Sequence, residues 1–318
     1  MTTGSHDRSP EALPRRPRLT GHPDDEPRPQ PKVGGWHWTE WLCELVGTAF
    51  QLFLGFSVVA VMEAPGAPGP ALIPSSGVRL VLIGVAFGLL AAIVAVSPLG
   101  RRSGAHLNPA VTLGFFARGH THAHDLAGYA LAQAAGALAA ATGLAAAWGS
   151  WAEGVNDART TPSAGVDPWV AAGIEAGLTL VLLFVVFSMV SSSRTARWTP
   201  AVVTGVLSGL IWAGAPYTGA SMNPARTLGP DIVAGGYGGL WIYFLGPPAG
   251  ALLAAGLFAA VARERTTLTA KLFHDRDYPS TQRTALPAKP HRGSGQTAGR
   301  ADVPVRRPAT TEAGAQRR

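Results

Sequence analysis

Two near-identical segments hold the residues whose chemistry is easiest to interpret. Residues 103–114 read SGAHLNPAVTLG and residues 218–229 read TGASMNPARTLG, so that eight of twelve positions are identical without a gap. Asparagine is a preferred N-cap and proline is favoured at the first helical position, so each Asn-Pro pair predicts a helix start. A helix start carries unpaired backbone amides and roughly half a positive charge. This chemistry is donation of hydrogen bonds to a neutral molecule and repulsion of cations.

The elements that position these segments are membrane helices. Of the 318 residues 47% are hydrophobic and only 14% are charged, against about 25% charged residues in soluble domains. Spans of about 20 apolar residues indicate transmembrane helices. We predict an all-α membrane protein with six spans, at Trp38–Met62, Leu80–Ser97, Leu126–Trp151, Trp169–Val190, Thr199–Ala215 and Leu240–Val261. Leu107–Ala117 and Met222–Ala234 are too short to span and predict re-entrant half-helices.

The chain divides into one channel domain, residues 36–262, between two basic tails at 1–35 and 263–318 that we predict to be disordered. The net charge of +7 and the pI near 10.2 would suggest a nucleic-acid partner for a soluble protein. Here the basic residues lie in tails and short loops. This placement favours contact with anionic lipid headgroups over a nucleic-acid partner. Arginines follow the predicted second and fourth spans, and others flank the domain in both tails. Both termini are therefore predicted to be cytoplasmic in a multi-pass protein of the cell membrane.

The duplicated segment belongs to a longer repeat, with repeat one at 36–151 and repeat two at 168–262. Glu44 and Thr48 in the first span are mirrored by Glu175 and Thr179 in the fourth. Three spans per repeat is an odd number, so the second repeat must be inverted relative to the first. Inverted repeats put the functional site at their interface near the membrane midplane. The two helix starts then meet there, and their amides break a hydrogen-bonded water wire. The residues of the two helix starts are Asn108, Pro109, Ala110, Asn223, Pro224 and Ala225.

Three ionisable residues fall at membrane depth, where charge is costly and suggests function. Arg226, three residues after the second Asn, is predicted to line the pore rather than to pair structurally with a carboxylate. Glu44 and Glu175 are predicted to be structural acceptors for loop amides that water cannot reach, with a proton relay as the alternative. His106 is predicted to brace its loop.

The paired Asn-Pro-Ala segments resemble the signature loops of the major intrinsic protein (aquaporin–glycerol facilitator) family over Trp38–Ala262. The resemblance implies a right-handed six-helix bundle with two half-helices, a homotetramer with one pore per subunit, and a passive channel without a cofactor. Three glycine pairs at Gly-x-x-x-Gly spacing match family positions where helices approach closely; they are Gly84 with Gly88, Gly205 with Gly209, and Gly246 with Gly250.

The family's selectivity filter has four positions, and the resemblance carries them to Phe87, Ile211, Ala220 and Arg226, with Trp212 as an alternative to Ile211. Water-selective members usually have His at the position of Ile211. Glycerol facilitators usually have Asp after the filter Arg, where this chain has Thr227, and Pro with an aliphatic residue where it has Tyr243 and Phe244. We therefore predict a water channel, with passage of glycerol, urea, ammonia or hydrogen peroxide left open.

Other classes fit the sequence less well. A secondary carrier can also be built from inverted repeats, but it usually has a charged midplane substrate site, and Arg226 is the sole lumen charge predicted. An enzyme is not predicted, because no nucleophile–base pair stands out. No metal site is predicted either. His120, His122 and His124 are interpreted as a solvated helix entrance, with weak surface metal binding as the alternative, and the single cysteine, Cys43, as a packing residue.

Overall fold

The computed structural model of the protein describes residues 36–262, so both predicted disordered tails lie outside the described residues. Within 36–262, six helices are long and apolar enough to cross a membrane. These first to sixth spans are Trp38–Glu63, Ser76–Val96, Ala123–Trp148, Pro168–Val190, Thr199–Thr218 and Leu240–Val261. The two half-helices are Pro109–Ala117 and Pro224–Ala234. The connections contain the short helices Pro68–Leu72, Pro98–Ser103, Ser150–Gly154, Ser193–Ala196 and the 3-10 turn Asn156–Ala158.

All six predicted spans are present, and the differences at their ends have local causes. The second span begins four residues early because Ser75 caps it, its hydroxyl accepting from the Val78 amide. Its first turn tolerates Arg79 because Glu63 forms a two-pronged ion pair with that guanidinium at 2.9–3.0 Å. The third span ends at Trp148 rather than Trp151 because Gly149 turns the chain at φ 46°.

The helix pairs follow the repeat. The first span packs on the third, the fourth on the sixth, and the second on the fifth. Gly84 and Gly88 lie so close to the fifth-span backbone at Ser208 and Thr204 that a Cβ would clash. Gly246 and Gly250 likewise approach the fourth span at Ala172 and Ala176. The contacts of Gly84 and Gly88 join the two repeats, whereas those of Gly246 and Gly250 join two spans of repeat two; both rely on van der Waals packing, as is usual between membrane helices.

The third glycine pair has no such neighbour within residues 36–262. A Cβ on Gly205 or Gly209 would meet nothing within 4 Å, so this pair contacts no other helix of the described chain. The spacing indicates a surface that allows close approach, but not which surface it meets.

The outer surface of the bundle is apolar. Leu131 is 72% exposed, Leu253 57% and Ile93 52%, each on a different span. Large exposed apolar surfaces of this kind indicate contact with a membrane or a partner, and with six spans they indicate lipid. The fold is therefore that of an all-α multi-pass membrane protein.

Candidate functional site: a pore between two half-helices

The two loops that precede the half-helices share one unusual backbone path. Ala105 and Leu107 have φ of 50° and 53°, and the equivalent Ala220 and Met222 have 48° and 53°. Non-glycine residues rarely adopt this left-handed region, and they persist there only when surrounding contacts fix them. Two loops with the same strained path indicate that the same contacts hold both.

Those contacts come from two buried carboxylates. Glu44 accepts hydrogen bonds from the His106 and Leu107 amides at 3.0 and 2.7 Å. Glu175 accepts from the Ser221 and Met222 amides at 2.9 and 2.7 Å. Both carboxylates are fully buried, so water cannot replace them as acceptors, and a bond to a charged group is stronger than a neutral one. Each glutamate therefore anchors the loop of its own repeat.

Two tyrosines also anchor these loops, and they were missed in the sequence analysis. The Tyr129 hydroxyl donates to the Ser103 carbonyl at 2.7 Å, and the Tyr243 hydroxyl donates to the Thr218 carbonyl at 2.6 Å. Ser103 and Thr218 are the first residues of the duplicated segment. The two tyrosines lie 21 and 20 residues after Asn108 and Asn223, a near-equal spacing that could have revealed them.

The two helix starts meet through their asparagines. Each side-chain oxygen caps its own half-helix, Asn108 Oδ1 accepting from Ala110 and Asn223 Oδ1 from Ala225 and Arg226. Each Nδ2 crosses to the opposite loop, from Asn108 to the Met222 carbonyl at 2.8 Å and from Asn223 to the Leu107 carbonyl at 3.0 Å. An amide NH₂ has two donors, so each asparagine has one N–H beyond its crossed bond.

A cavity of about 640 Å³ runs past both asparagines. Phe87, Ile211, Ala220 and Arg226 all line it. Trp212, the alternative to Ile211, does not line it and is 55% exposed, whereas Ile211 is 8% exposed. Three of these four side chains are apolar, so Arg226 is the one charged residue among them.

Arg226 is held by contacts that the sequence did not indicate. Its Nη1 donates to the Ala158 carbonyl at 2.6 Å, and its guanidinium lies 4.9 Å from the centre of the Phe56 ring and 6.0 Å from that of Phe87. Cations over aromatic faces are stabilised electrostatically. No carboxylate forms an ion pair with Arg226 within residues 36–262, so its charge is not neutralised by a direct partner.

The carbonyl that holds Arg226 comes from a strained turn. Asn156, Asp157 and Ala158 all have positive φ, between 51° and 59°. Arg159 follows Ala158 directly. Its side chain donates to Asp231 at 2.7 Å and to the Gly236 carbonyl at 2.6 Å, both near the end of the second half-helix, and these bonds hold the end of the turn. Asparagine and aspartate tolerate left-handed backbone better than other non-glycine residues, so Asn156-Asp157 was the only available signal.

His106 and His120, on either side of the first half-helix, lie in different environments. His106 stacks on Phe115 at 4.8 Å, its Nδ1 lies 3.2 Å from the Thr112 hydroxyl, and it lines the cavity. His120 is 8% exposed, so interpreting it as part of a solvated helix entrance is wrong. Burial, with a smaller contribution from the Arg118 charge, lowers the pKa of His120 to about 4. Cys43 is a buried free cysteine on the first span.

The comparisons with known proteins decide the family. The family model described as major intrinsic protein matches residues 34–258. The chain belongs to this family. This major intrinsic protein is 39% identical over 216 residues to Aquaporin NIP1-3 of Oryza sativa subsp. japonica, covering 67% of this chain and 70% of that one. It is 32% identical over 236 residues to Aquaporin Z of Rhodopseudomonas palustris, covering 71% and 95%.

Comparison with solved structures supports the same fold. The X-ray structure of the aquaglyceroporin from Plasmodium falciparum matches this major intrinsic protein with a TM-score of 0.60 at 21% identity, covering 71% of this chain and 96% of that one. At that identity the likeness concerns the fold alone. Six spans, two half-helices and an inverted repeat are therefore the aquaporin-like fold, and the proteins of this family are passive channels rather than enzymes.

Proposed function

We propose that the protein is a passive membrane channel for water and small neutral solutes that excludes protons and other cations. The observation that carries the proposal is the crossed pair Asn108–Met222 and Asn223–Leu107 beside one cavity. It leaves one asparagine donor from each repeat for the lumen. A water there accepts two hydrogen bonds through its oxygen and directs its hydrogens along the pore, which interrupts proton hopping.

Cation exclusion has two sources in this proposal. The starts of both half-helices present positive dipole ends to the lumen. Arg226 adds a full charge that no direct ion pair among the described residues neutralises. A charge of this kind at membrane depth is expensive and persists when it has a function. We propose that Phe87, Ile211, Ala220 and Arg226 form the selectivity filter.

Facilitated passage of glycerol, urea or ammonia on the same fold is the second candidate, because the proposed filter is largely apolar. Ile211 and Ala220 offer no side-chain donor, and Ala220 is small. Thr227 stands where glycerol facilitators carry Asp, and it is buried against the Thr160 and Ser221 hydroxyls at 2.6 and 2.7 Å. Thr227 is neutral and fully buried, and it does not line the cavity.

Solute gradients in proteoliposomes test these alternatives. Stopped-flow light scattering with glycerol, urea and hydrogen peroxide, beside a purely osmotic gradient, ranks the permeant molecules. We expect water to pass in every case and Ile211→His to reduce solute flux more than water flux, because it narrows the filter and adds a polar ring atom. Equal reduction of both fluxes would place the filter elsewhere.

Mercurial sensitivity tests the position of Ala220. The single cysteine, Cys43, is buried on the first span and does not line the cavity. We expect water flux through the unmodified channel to be insensitive to mercury compounds. Ala220→Cys places a thiol on the cavity wall and should make the flux sensitive, with reversal by a thiol reductant. Strong inhibition of the unmodified channel would contradict the filter assignment.

Orientation in the membrane follows from the positive charges. We propose that both termini are cytoplasmic, because Arg101, Arg102, Arg194 and Arg197 follow the second and fourth spans on one side. Cysteine introduced by Ser163→Cys, with Cys43→Ala, should be labelled by an impermeant reagent added outside intact cells. A matched Thr195→Cys should be labelled only after lysis, and the reverse pattern would contradict the inverted topology.

We propose a homotetramer in which Gly205 and Gly209 contact a neighbouring subunit. Both are exposed with nothing near them in the described chain, and small residues at this spacing allow membrane helices to approach closely. Gly205→Leu with Gly209→Leu should shift the purified protein toward monomers in native mass spectrometry. Gly256→Leu on the sixth span, also exposed without neighbours, is the matched control. Unchanged tetramers in the double variant would exclude this face.

A further inference from the structure

Four metal-ligating side chains converge away from the pore, where the first and third spans begin. His37 precedes the first span, His122 and His124 stand at the start of the third, and Asp125 lies in its first turn. One ligand atom from each residue lies within 4.8 Å of all the others. We propose that His37, His122, His124 and Asp125 form a binding site for a divalent transition metal of the Zn²⁺ type.

The distances suit a tetrahedral ion. Zinc binds imidazole nitrogen and carboxylate oxygen at about 2.0–2.2 Å, which places neighbouring ligand atoms roughly 3.3–3.5 Å apart. Asp125 Oδ2 lies 2.8 Å from His37 Nδ1 and 3.4 Å from His122 Nδ1, and Asp125 Oδ1 lies 3.9 Å from His124 Nε2. Side-chain rotation would close the longer of these separations on binding of one ion. Three imidazoles and one carboxylate are ligands that zinc accepts.

Asp125 is oriented as metal-binding carboxylates usually are. Its Oδ1 accepts a hydrogen bond from Trp41 Nε1 at 2.9 Å, and its side chain is fully buried. Partners of this kind fix a ligand's orientation and are typical of metal sites. Because the indole occupies Oδ1, Oδ2 remains the atom nearest to His37 and His122, and it is the atom we assign to the ion.

A purely structural hydrogen-bond network accounts for the cluster less well. Of the three histidines, His37 lies nearest to Asp125, with its Nδ1 2.8 Å from Oδ2. His124 Nε2 is shielded from water and forms no hydrogen bond within the part of the chain that the structure describes. A buried polar atom without a hydrogen bond is costly. A metal ion at the centre of the cluster would satisfy that nitrogen and the carboxylate together.

The three imidazole rings of the cluster pack against one another. The centres of His37 and His124 are 4.8 Å apart, those of His122 and His124 5.1 Å, and those of His37 and His122 5.5 Å. Trp36 packs edge-on against both His124 and Trp41. A bound ion would fasten the start of the first span to the third, residues 88 positions apart in sequence.

Metal titration of the full-length channel tests the proposal. The protein is purified without a polyhistidine tag, stripped with chelator, and titrated with ZnCl₂ by calorimetry and with Co²⁺ by visible absorption. We expect one ion per chain, the intense ligand-field bands of four-coordinate Co²⁺, and a higher thermal unfolding temperature with Zn²⁺. His124→Gln, the most exposed ligand at 38%, should weaken binding by at least about tenfold, as ligand-shell changes typically do.

Two further variants keep the test sharp. His122→Gln should weaken binding as His124→Gln does, while both variants unfold in chelator at the temperature of the unmodified protein. His120→Gln removes a histidine of the same loop that is outside the cluster and should leave Zn²⁺ affinity unchanged. The proposal is overturned if no saturable Zn²⁺ or Co²⁺ binding occurs, or if His120→Gln weakens binding as much as the cluster variants.

Discussion

Glu175→Leu is expected to destabilise the channel so strongly that little folded protein remains. The carboxylate accepts from the Thr218 hydroxyl and from the Ser221 and Met222 amides, all at 2.7–2.9 Å in a site without solvent access. Leaving a buried donor without an acceptor costs about 1–3 kcal/mol. Two stranded amides therefore lower the free energy of unfolding by about 2–6 kcal/mol, which is comparable with the whole stability of many domains.

The measurement is thermal unfolding in detergent, followed by tryptophan fluorescence, together with the yield of monodisperse protein. Glu175→Gln keeps the size and one acceptor oxygen but turns an NH₂ group toward donor amides, so its loss should be intermediate. Thr179→Val is the matched control, because that hydroxyl bonds only the Glu175 carbonyl of its own helix. If Glu175→Leu unfolds at the temperature of Thr179→Val, the carboxylate does not anchor the loop.

Arg226→Val is expected to admit cations while water still passes. Without the guanidinium, the filter retains only apolar side chains, and the half-helix dipoles and asparagines must exclude cations alone. A loss of about 1.4 kcal/mol from that barrier raises flux tenfold. We expect proton or potassium flux to rise by at least about tenfold, with a smaller change in water flux. Arg226→Val with Phe87→Ala should leak more than either single variant, because it also widens the filter.

Two controls separate charge from shape. Arg226→Lys keeps the positive charge but loses the planar group that donates to Ala158 and lies over Phe56, so it should retain most cation exclusion. Arg197 also lines the cavity but is exposed, and Arg197→Val should change little because water screens its charge. Unchanged ion exclusion and solute selectivity in Arg226→Val would make Arg226 a structural residue.

The spans were predictable because lipid imposes a simple requirement. A helix must carry about 20 apolar residues to cross the hydrocarbon core, and all six such segments form the spans of the structure. Their ends were less predictable, because they depend on a cap such as Ser75 or on an ion pair such as Arg79–Glu63. These are single contacts that hydropathy does not detect.

The two-fold character of the site was also readable from the sequence. Duplicated letters indicate duplicated geometry, so Asn108 and Asn223 could be paired without coordinates. The duplication does not indicate which carbonyls the asparagines reach. The crossed bonds to Met222 and Leu107 became visible only in the fold.

The contacts that hold Arg226 could not be predicted from the sequence, and the reason is physical. Phe56 is one apolar residue among many in the first span, and no pattern distinguishes it from packing residues. Ala158 contributes a backbone carbonyl, which every residue possesses, and its orientation depends on three successive positive φ values. His37 and Asp125 are similarly brought together by the packing of two spans rather than by sequence spacing.

Osmotic water flux and proton flux measured in the same proteoliposomes test the central claim most directly. A pH-sensitive dye inside the vesicles reports protons while light scattering reports volume, and protein-free vesicles provide the baseline. We predict water flux well above that baseline, proportional to the osmotic gradient without saturation, and proton flux at the baseline. Water flux no faster than in protein-free vesicles, or solute flux that saturates and requires a proton gradient, would contradict a passive channel and favour a carrier.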